Sequence, residues 1–220
     1  VDTEGYKRIN KVSIMELSKD GQSFANSEKI KLDCDCLAIA GGWTPAVHLF
    51  TQSGGKLKFR DKDQVFIPNK YPSDQVSIGS CNGDFELDDI ITNTSKTLKE
   101  FLNIKETKYD DLKVICPKDK EIRNIWLLPS DKVIGKTKPF VDYQNDATAK
   151  DIKLALREGF RSIEHVKRYT TTGMGTDQGK LGNMHALGII AETAGVKMGE
   201  LGTTTFRPPY TPLTFGTIVG

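Results

Sequence analysis

Between residues 170 and 180 the chain concentrates groups that hold anions. Thr170-Thr171-Thr172-Gly173-Met174-Gly175-Thr176-Asp177-Gln178-Gly179-Lys180 sets hydroxyls and glycines in one turn, and Lys167, Arg168 and Lys180 flank it with positive charge. Glycine lets a backbone approach a ligand closely. Backbone N–H groups and hydroxyls bind phosphate oxygens, and cations add charge-assisted bonds. A solvated Thr/Gly loop with surface lysines is an equally good reading, since charged side chains stay in water by default. A second candidate is Gly79-Ser80-Cys81-Asn82-Gly83-Asp84, which opens a helix. A strand, a glycine-bearing turn and a helix aim backbone N–H groups and a positive helix end at an anion. Two glycines are a weak signal, and a plain strand-to-helix turn is the simpler alternative.

Other reactive side chains say less. His165 and His185 lie on expected helices with no obvious carboxylate or serine partner by sequence. Any histidine titrates in a useful range, so this alone does not mark a catalytic base. No Ser/His/Asp order, HExxH, P-loop or paired-carboxylate motif is present, and no catalytic residue is assigned. The cysteines are Cys34, Cys36, Cys81 and Cys116, with no CxxC pair. That pattern fits neither a disulfide scaffold nor a structural metal site, which takes about four ligands. Buried, unreactive thiols in a reducing cytoplasm are the expectation.

The elements that must position these groups follow from hydropathy. Ile9, Val12, Ile14 and Leu17 alternate in part, and Ile30 to Ala40 is a nearly continuous apolar run around Cys34-Asp35-Cys36-Leu37-Ala38-Ile39-Ala40. Such a run predicts a strand buried on both faces, as in a parallel sheet covered by helices. It breaks at Gly41-Gly42-Trp43-Thr44-Pro45. Short strands are expected at 57–59, 65–67 and 76–78, and a helix from about Phe85 to Leu102. Residues 103–140 are rich in Lys and Asp, with apolar spots at Val114-Ile115 and 125–128 and breaks at Pro117, Pro129 and Pro139; they read as a connector. Three short helices follow. One begins at Ala149 behind a Thr148 cap and stops at Gly159, one runs from Ser162 to Tyr169, and one from Asn183 to Ala194.

Composition bounds the whole. The 220 residues carry 31 basic and 29 acidic side chains, a net charge of +2, which argues against a dedicated nucleic-acid binder. Hydrophobic residues at 37% and charged residues at 27% suit a folded, globular chain. No apolar run reaches the length of about 18 residues that a membrane helix needs. The first residues do not look like a signal peptide. The start without Met and the ending Thr214-Phe215-Gly216-Thr217-Ile218-Val219-Gly220 suggest a piece of a longer polypeptide.

Three blocks carry a resemblance: Arg161 to Lys180 (RSIEHVKRYTTTGMGTDQGK), Gly202 to Pro212 (GTTTFRPPYTP), and Cys34 to Gly55, with its GGWTPAVHLFTQSGG. Together they resemble the α subunits of heterotetrameric sarcosine oxidases, over essentially the whole chain. The resemblance implies an α/β fold: the C-terminal part of a dinucleotide-binding region (1–103), a connector (104–140), a small helical domain (141–198) and a linker toward a folate-binding domain (199–220). The helical domain is similar to the BFD-like fold that binds a [2Fe–2S] cluster in related amine dehydrogenases, in which CxC precedes D-x-T and C-Q-G-x-x-C follows. Here Asp146-Ala147-Thr148 supplies the D-x-T, while the cysteine positions hold Asp142, Gln144, Asp177 and Gly182. A cluster held mainly by four cysteines is therefore not expected, and no metal is assigned.

The same resemblance implies an oxidoreductase subunit. Such complexes oxidise the N-methyl group of sarcosine with O2 and tetrahydrofolate, giving glycine, hydrogen peroxide and 5,10-methylenetetrahydrofolate. The α subunit carries NAD and folate and assembles with β, γ and δ subunits. FAD lies in β, and FMN at the α/β interface. Gly79, Ser80, Phe85, Leu87 and Tyr210 are the expected NAD contacts; Lys167, Arg168, Thr171, Thr172, Gly173 and Lys180 are the expected FMN-facing group. The opening Gly-rich dinucleotide fingerprint and its ribose-binding acid are not in these residues. A non-catalytic docking module for a flavoprotein partner is the alternative; NAD should stabilise the first kind of chain and leave the second unaffected.

Overall fold

A computed structural model describes residues 2–72, 74–105, 112, 114, 123–130 and 137–219. Cys116, Ile115 and Pro117 lie outside the described residues. The chain divides into two compact units, Val1–Trp43 with Arg123–Pro139, and Thr44–Ile122 with Phe140–Gly220. Residues 44–102, expected with the preceding strands, thus belong to the unit that holds the helices.

The first unit carries a three-stranded sheet, β1 (Asp2–Gly5), β2 (Ile9–Ile14) and β3 (Ile30–Asp33), in the order β1-β2-β3. Both pairings are antiparallel, with Thr3 opposite Val12 and Val12 opposite Leu32. Val12 and Ser13 of the central strand are buried. The strand expected across 30–40 is corrected here. It stops at Asp33 and is exposed along its length, and residues 34–40 have no regular structure. The reason is the polar residue at every second position: Lys31, Asp33 and Asp35 interrupt the apolar run, and Lys31 pairs with Glu4 at 2.7 Å on the sheet's surface. Every strand pair among the described residues is antiparallel, so the parallel sheet is not seen there. The buried thiols are corrected as well: Cys34 is half-buried, and Cys36 and Cys81 are exposed.

The second unit begins with a short helix, α1 (His48–Gln52), followed by a hairpin of β4 (Lys56–Arg60) and β5 (Val65–Lys70). Arg60 closes the hairpin turn, its Nε donating to both Asp63 carboxylate oxygens at 2.8 and 3.1 Å. Phe59 and Phe66 face each other across the strands, ring centres 5.0 Å apart. The expected strand at 76–78 is not formed; the chain there runs directly into a 3-10 turn, Gly79–Asn82. Helix α2 (Leu87–Leu102) follows and ends at Asn103, which takes a left-handed conformation.

The core of this unit is the helical cluster. The two-stranded β6 (Phe140–Asp142) and β7 (Ala147–Thr148) lead into α3 (Ala149–Arg157), α4 (Ile163–Thr170) and α5 (Asn183–Ala194), then the single turn α6 (Met198–Leu201) and, after an extended segment, α7 (Phe215–Val219). The start of α3 is where the sequence places it. The Asp151 carboxylate accepts the Thr148 N–H at 2.8 Å and the Thr148 hydroxyl at 2.7 Å, which ties the helix's first turn to its cap. Helices α3, α4 and α5 pack together through Ile152, Ala155, Val166, Leu187, Ile189 and Ile190, each at most 2% exposed. These residues recur at helical spacing, and their burial fixes how the loops between the helices face one another.

Candidate functional site

Three groups of residues in the second unit gather chemistry. The first is the turn before α2. Gly79 and Gly83 both have positive φ, at 61° and 82°, so the chain folds back on itself within four residues. The Asp84 N–H donates to the Gly79 carbonyl at 3.1 Å. Ser80 is exposed, Phe85 half-buried and Leu87 half exposed. The helix that follows already carries Asp88 and Asp89 in its first turn, behind Glu86 at the cap. Those carboxylates oppose a second anion at that helix end. Asp84 is a different matter. One carboxylate oxygen accepts from Asn93 Nδ2 at 3.0 Å; the other is buried with no partner among the described residues. A buried carboxylate oxygen without a partner is costly and suits a hydroxyl or amide donor. Sequence reading placed Asp84 in this turn but gave it no role; the signal was its place directly after the second glycine.

The second group joins the 142–145 turn to the 170–180 turn. The Asp142 carboxylate is buried and accepts the backbone N–H of Gln144 and of Asn145, both at 2.9 Å, and that of Gly173 at 2.6 Å. Burial works against its charge, but the bonds from Gly173, Asn145 and Gln144 outweigh it and hold its pKa below the usual carboxylate value. Thr176 donates its hydroxyl to the Gln144 side-chain carbonyl at 3.2 Å, and the Asp177 carboxylate accepts the Gly179 N–H at 3.0 Å. A Cβ on Gly182 would lie 2.4 Å from the Val141 carbonyl oxygen, so no side chain of any kind fits there without a backbone shift. At Asp142, Gln144 and Asp177 side-chain hydrogen bonds knit the loops; at Gly182 the backbone leaves no room for a side chain.

The expected FMN-facing residues divide between inside and outside. Thr172 and Gly173 are buried. The Thr170 hydroxyl donates to the Val166 carbonyl at 2.8 Å and lies 2.8 Å from the Thr172 hydroxyl. Lys180 donates to the Tyr210 carbonyl, its ammonium 4.5 Å from the centre of the Tyr210 ring. Arg168 is exposed and pairs with Glu164 one turn back at 2.9 Å. Thr171 is exposed, in a left-handed conformation at the end of α4, and Lys167 is half-buried. His165 and His185 are both exposed.

The third group was missed from the sequence. His48 opens α1 and is 8% exposed, and neither ring nitrogen has a hydrogen-bond partner among the described residues. It lines a small, partly open pocket of about 40 Å³ together with Lys180, Asn183, Leu187, Thr204 and Phe206. Its ring lies 4.0 Å from Phe206 and 5.3 Å from Tyr210, centre to centre. Burial first, and the nearby Lys180 charge second, lower its pKa from 6.5, so the imidazole is neutral. The Thr44-Pro45 break just before α1 was the available signal. Tyr210 therefore sits with His48 and Lys180, and these are its ring and carbonyl partners.

Residues 136–220 match the sarcosine oxidase A3 domain family. The whole chain is 36% identical to sarcosine oxidase subunit alpha of Rhizobium meliloti (strain 1021) and 34% identical to that of Corynebacterium sp. (strain P-1). It spans 23% of the length of each. Among solved structures it is similar to L-proline dehydrogenase from P. horikoshii, with a TM-score of 0.60 at 19% identity, covering 98% of this chain and 43% of that one. At that identity the likeness is one of fold.

Proposed function

We propose that this chain, which resembles sarcosine oxidase subunit alpha along its whole length and carries the A3 domain over residues 136–220, is the cofactor-binding and partner-facing core of such a subunit. The observation that carries the reading is the whole-length identity to subunits bearing that name, since the fold alone would not choose an activity. The complex is an oxidoreductase that converts sarcosine to glycine with O2 and tetrahydrofolate, releasing hydrogen peroxide and 5,10-methylenetetrahydrofolate. The chemistry on sarcosine takes place on another subunit, β, with γ and δ completing the assembly.

Within this chain, the turn at 79–87 contributes to an NAD site. Asp84, with its unpartnered buried oxygen, suits a ribose hydroxyl, while Ser80, Phe85 and Leu87 line the approach. The acidic first turn of α2 does not suit the pyrophosphate, so that group is held elsewhere. NAD, when bound, supplies a nicotinamide ring able to exchange hydride. Tyr210, the remaining NAD contact, sits against the His48 ring. The helical cluster is a BFD-like domain in which hydrogen bonds centred on Asp142 take over the bracing that a cluster would provide.

The 167–180 turn faces the β subunit and FMN. Tyr169 and Met174 within it, and Leu181 just after it, are exposed and offer apolar contact area on the same segment as the exposed Arg168. Arg168, Lys167 and Thr171 are the groups available to a phosphate from outside; Thr172 and Gly173 brace the turn from within. Replacing Arg168 with alanine is expected to weaken flavin retention by the assembly about tenfold, the loss of one charge-assisted hydrogen bond. Stability should change by no more than about 0.5 kcal/mol, because the pair with Glu164 is a surface one. Flavin content measured on the purified assembly checks this; unchanged content removes Arg168 from the interface.

A further inference from the structure

We infer that His48 is a proton-sensitive latch for residues 202–210: this strap closes over a neutral imidazole and opens when the imidazole takes a proton. The strap leaves α6 and runs across the helical cluster, tied down at four points. Asn183 Nδ2 donates to the Thr204 hydroxyl at 3.0 Å. Glu164 accepts the Thr205 N–H at 2.8 Å. The Gln178 side chain accepts the Arg207 N–H at 3.0 Å and donates to the carbonyls of Arg207 and Pro209 at 2.9 and 2.8 Å. Lys180 holds the Tyr210 carbonyl. Each of these ties is satisfied at both ends. His48 is the exception: it lies under Phe206 and Tyr210 with both nitrogens buried and without a partner among the described residues.

A buried polar group without a partner is paid for elsewhere in the fold, and it makes the closed state sensitive to anything that raises its cost. A proton does so. The ring meets Phe206 and Tyr210 of the strap, and the pocket it lines is bounded mainly by apolar groups such as Phe66, Ile163 and Leu187, with Lys180, Asn183 and threonine side chains as its polar lining. Among the described residues, no aspartate or glutamate lines the cavity, and its one cation is Lys180. An imidazolium would place a second positive charge beside Lys180, among apolar side chains and without a counter-charge. Moving the strap away exposes the ring to water, which removes that cost. Burial and Lys180 depress the His48 pKa in the closed state, in agreement with this geometry. The open strap therefore binds the proton more readily. Closure is at full strength above the ordinary value of 6.5 and weakens as pH falls below it, until the depressed closed-state value is passed. Glu164 is the acidic tie. Burial opposes its charge, but the Thr205 N–H, Lys167 and Arg168 keep its pKa below 4.5, so it lets go only in more acid solution.

Hydrogen–deuterium exchange on the intact protein tests the latch, reading the peptides that cover 202–210 and correcting for the intrinsic pH dependence of exchange. Protection is expected to fall about tenfold between about pH 7.5 and 5.5, the largest factor one proton with an open-state pKa near 6.5 can supply there. In His48→Phe, which keeps a ring and cannot titrate, protection should stay constant over the same range. His48→Gln serves as a second non-titrating variant in case the larger ring disturbs packing, and it should also be flat. Glu164→Gln should keep the native transition. Constant protection in the native protein across this range, or an equal fall in His48→Gln, overturns the proposal.

Discussion

Replacing Asp142 with alanine is expected to destabilise the helical cluster by about 3 kcal/mol. The carboxylate is 6% exposed and accepts three backbone N–H groups from two different turns, so its loss strands the Gly173 N–H and the start of the 142–145 turn together. Hydrogen bonds to a charged acceptor are stronger than neutral ones, and unmet buried donors retain their full desolvation cost. Asn should recover part of the loss, since its carbonyl keeps one acceptor, but its amide N–H2 confronts a backbone donor. The same bond set fixes a pH dependence. Because the folded state lowers the Asp142 pKa, its contribution is fully present above the ordinary value of 3.8 and is lost as pH falls through the depressed folded value. Urea denaturation of wild type and variant at neutral and acid pH measures both effects. A loss below about 1 kcal/mol at neutral pH would show that the two turns hold together without Asp142.

Replacing Ile190 with alanine is expected to cost about 3 to 4 kcal/mol. Its side chain is fully buried in the middle of α5, alongside Leu187 at 2% and Ile152 at 0% exposure. Removing three carbons there forfeits their transfer from water and leaves a cavity that the α3–α5 contact cannot fill by moving one side chain. Ile104, 43% exposed just beyond α2, provides the contrast: its alanine variant should stay within about 0.5 kcal/mol of wild type. The urea midpoint should shift while the slope stays constant, since the surface exposed on unfolding is nearly the same. Equal effects at the two isoleucines would mean that α3, α4 and α5 do not form the core.

The helical half of the molecule was legible because local rules govern it. The Thr148 start, the α5 span Asn183–Ala194 and the 65–67 strand follow from caps and apolar spacing, and the structure has them. The strand expected across 30–40 was misread because hydropathy averaged over Lys31, Asp33 and Asp35, which set the register of an exposed, antiparallel edge. The 170–180 turn was recognised as unusual, yet its residue types could not show that Thr172 and Gly173 face inward. That depends on Asp142, 31 residues away from Gly173. His48 was invisible for the same reason. Its burial is made by Phe206 and Tyr210, which lie far along the chain and share no local pattern with it.

Purifying the native assembly, releasing its bound cofactors, identifying them by mass and assaying peroxide on addition of sarcosine tests the proposal that this chain is the core of a sarcosine-oxidase-type α subunit. The expected result is NAD, FAD and FMN together, no iron or sulfide, and peroxide formed in proportion to sarcosine consumed. An assembly that contains no nucleotide, or one that carries iron and sulfide and makes no peroxide from sarcosine, would contradict it and leave the chain as a docking module that shares only the fold.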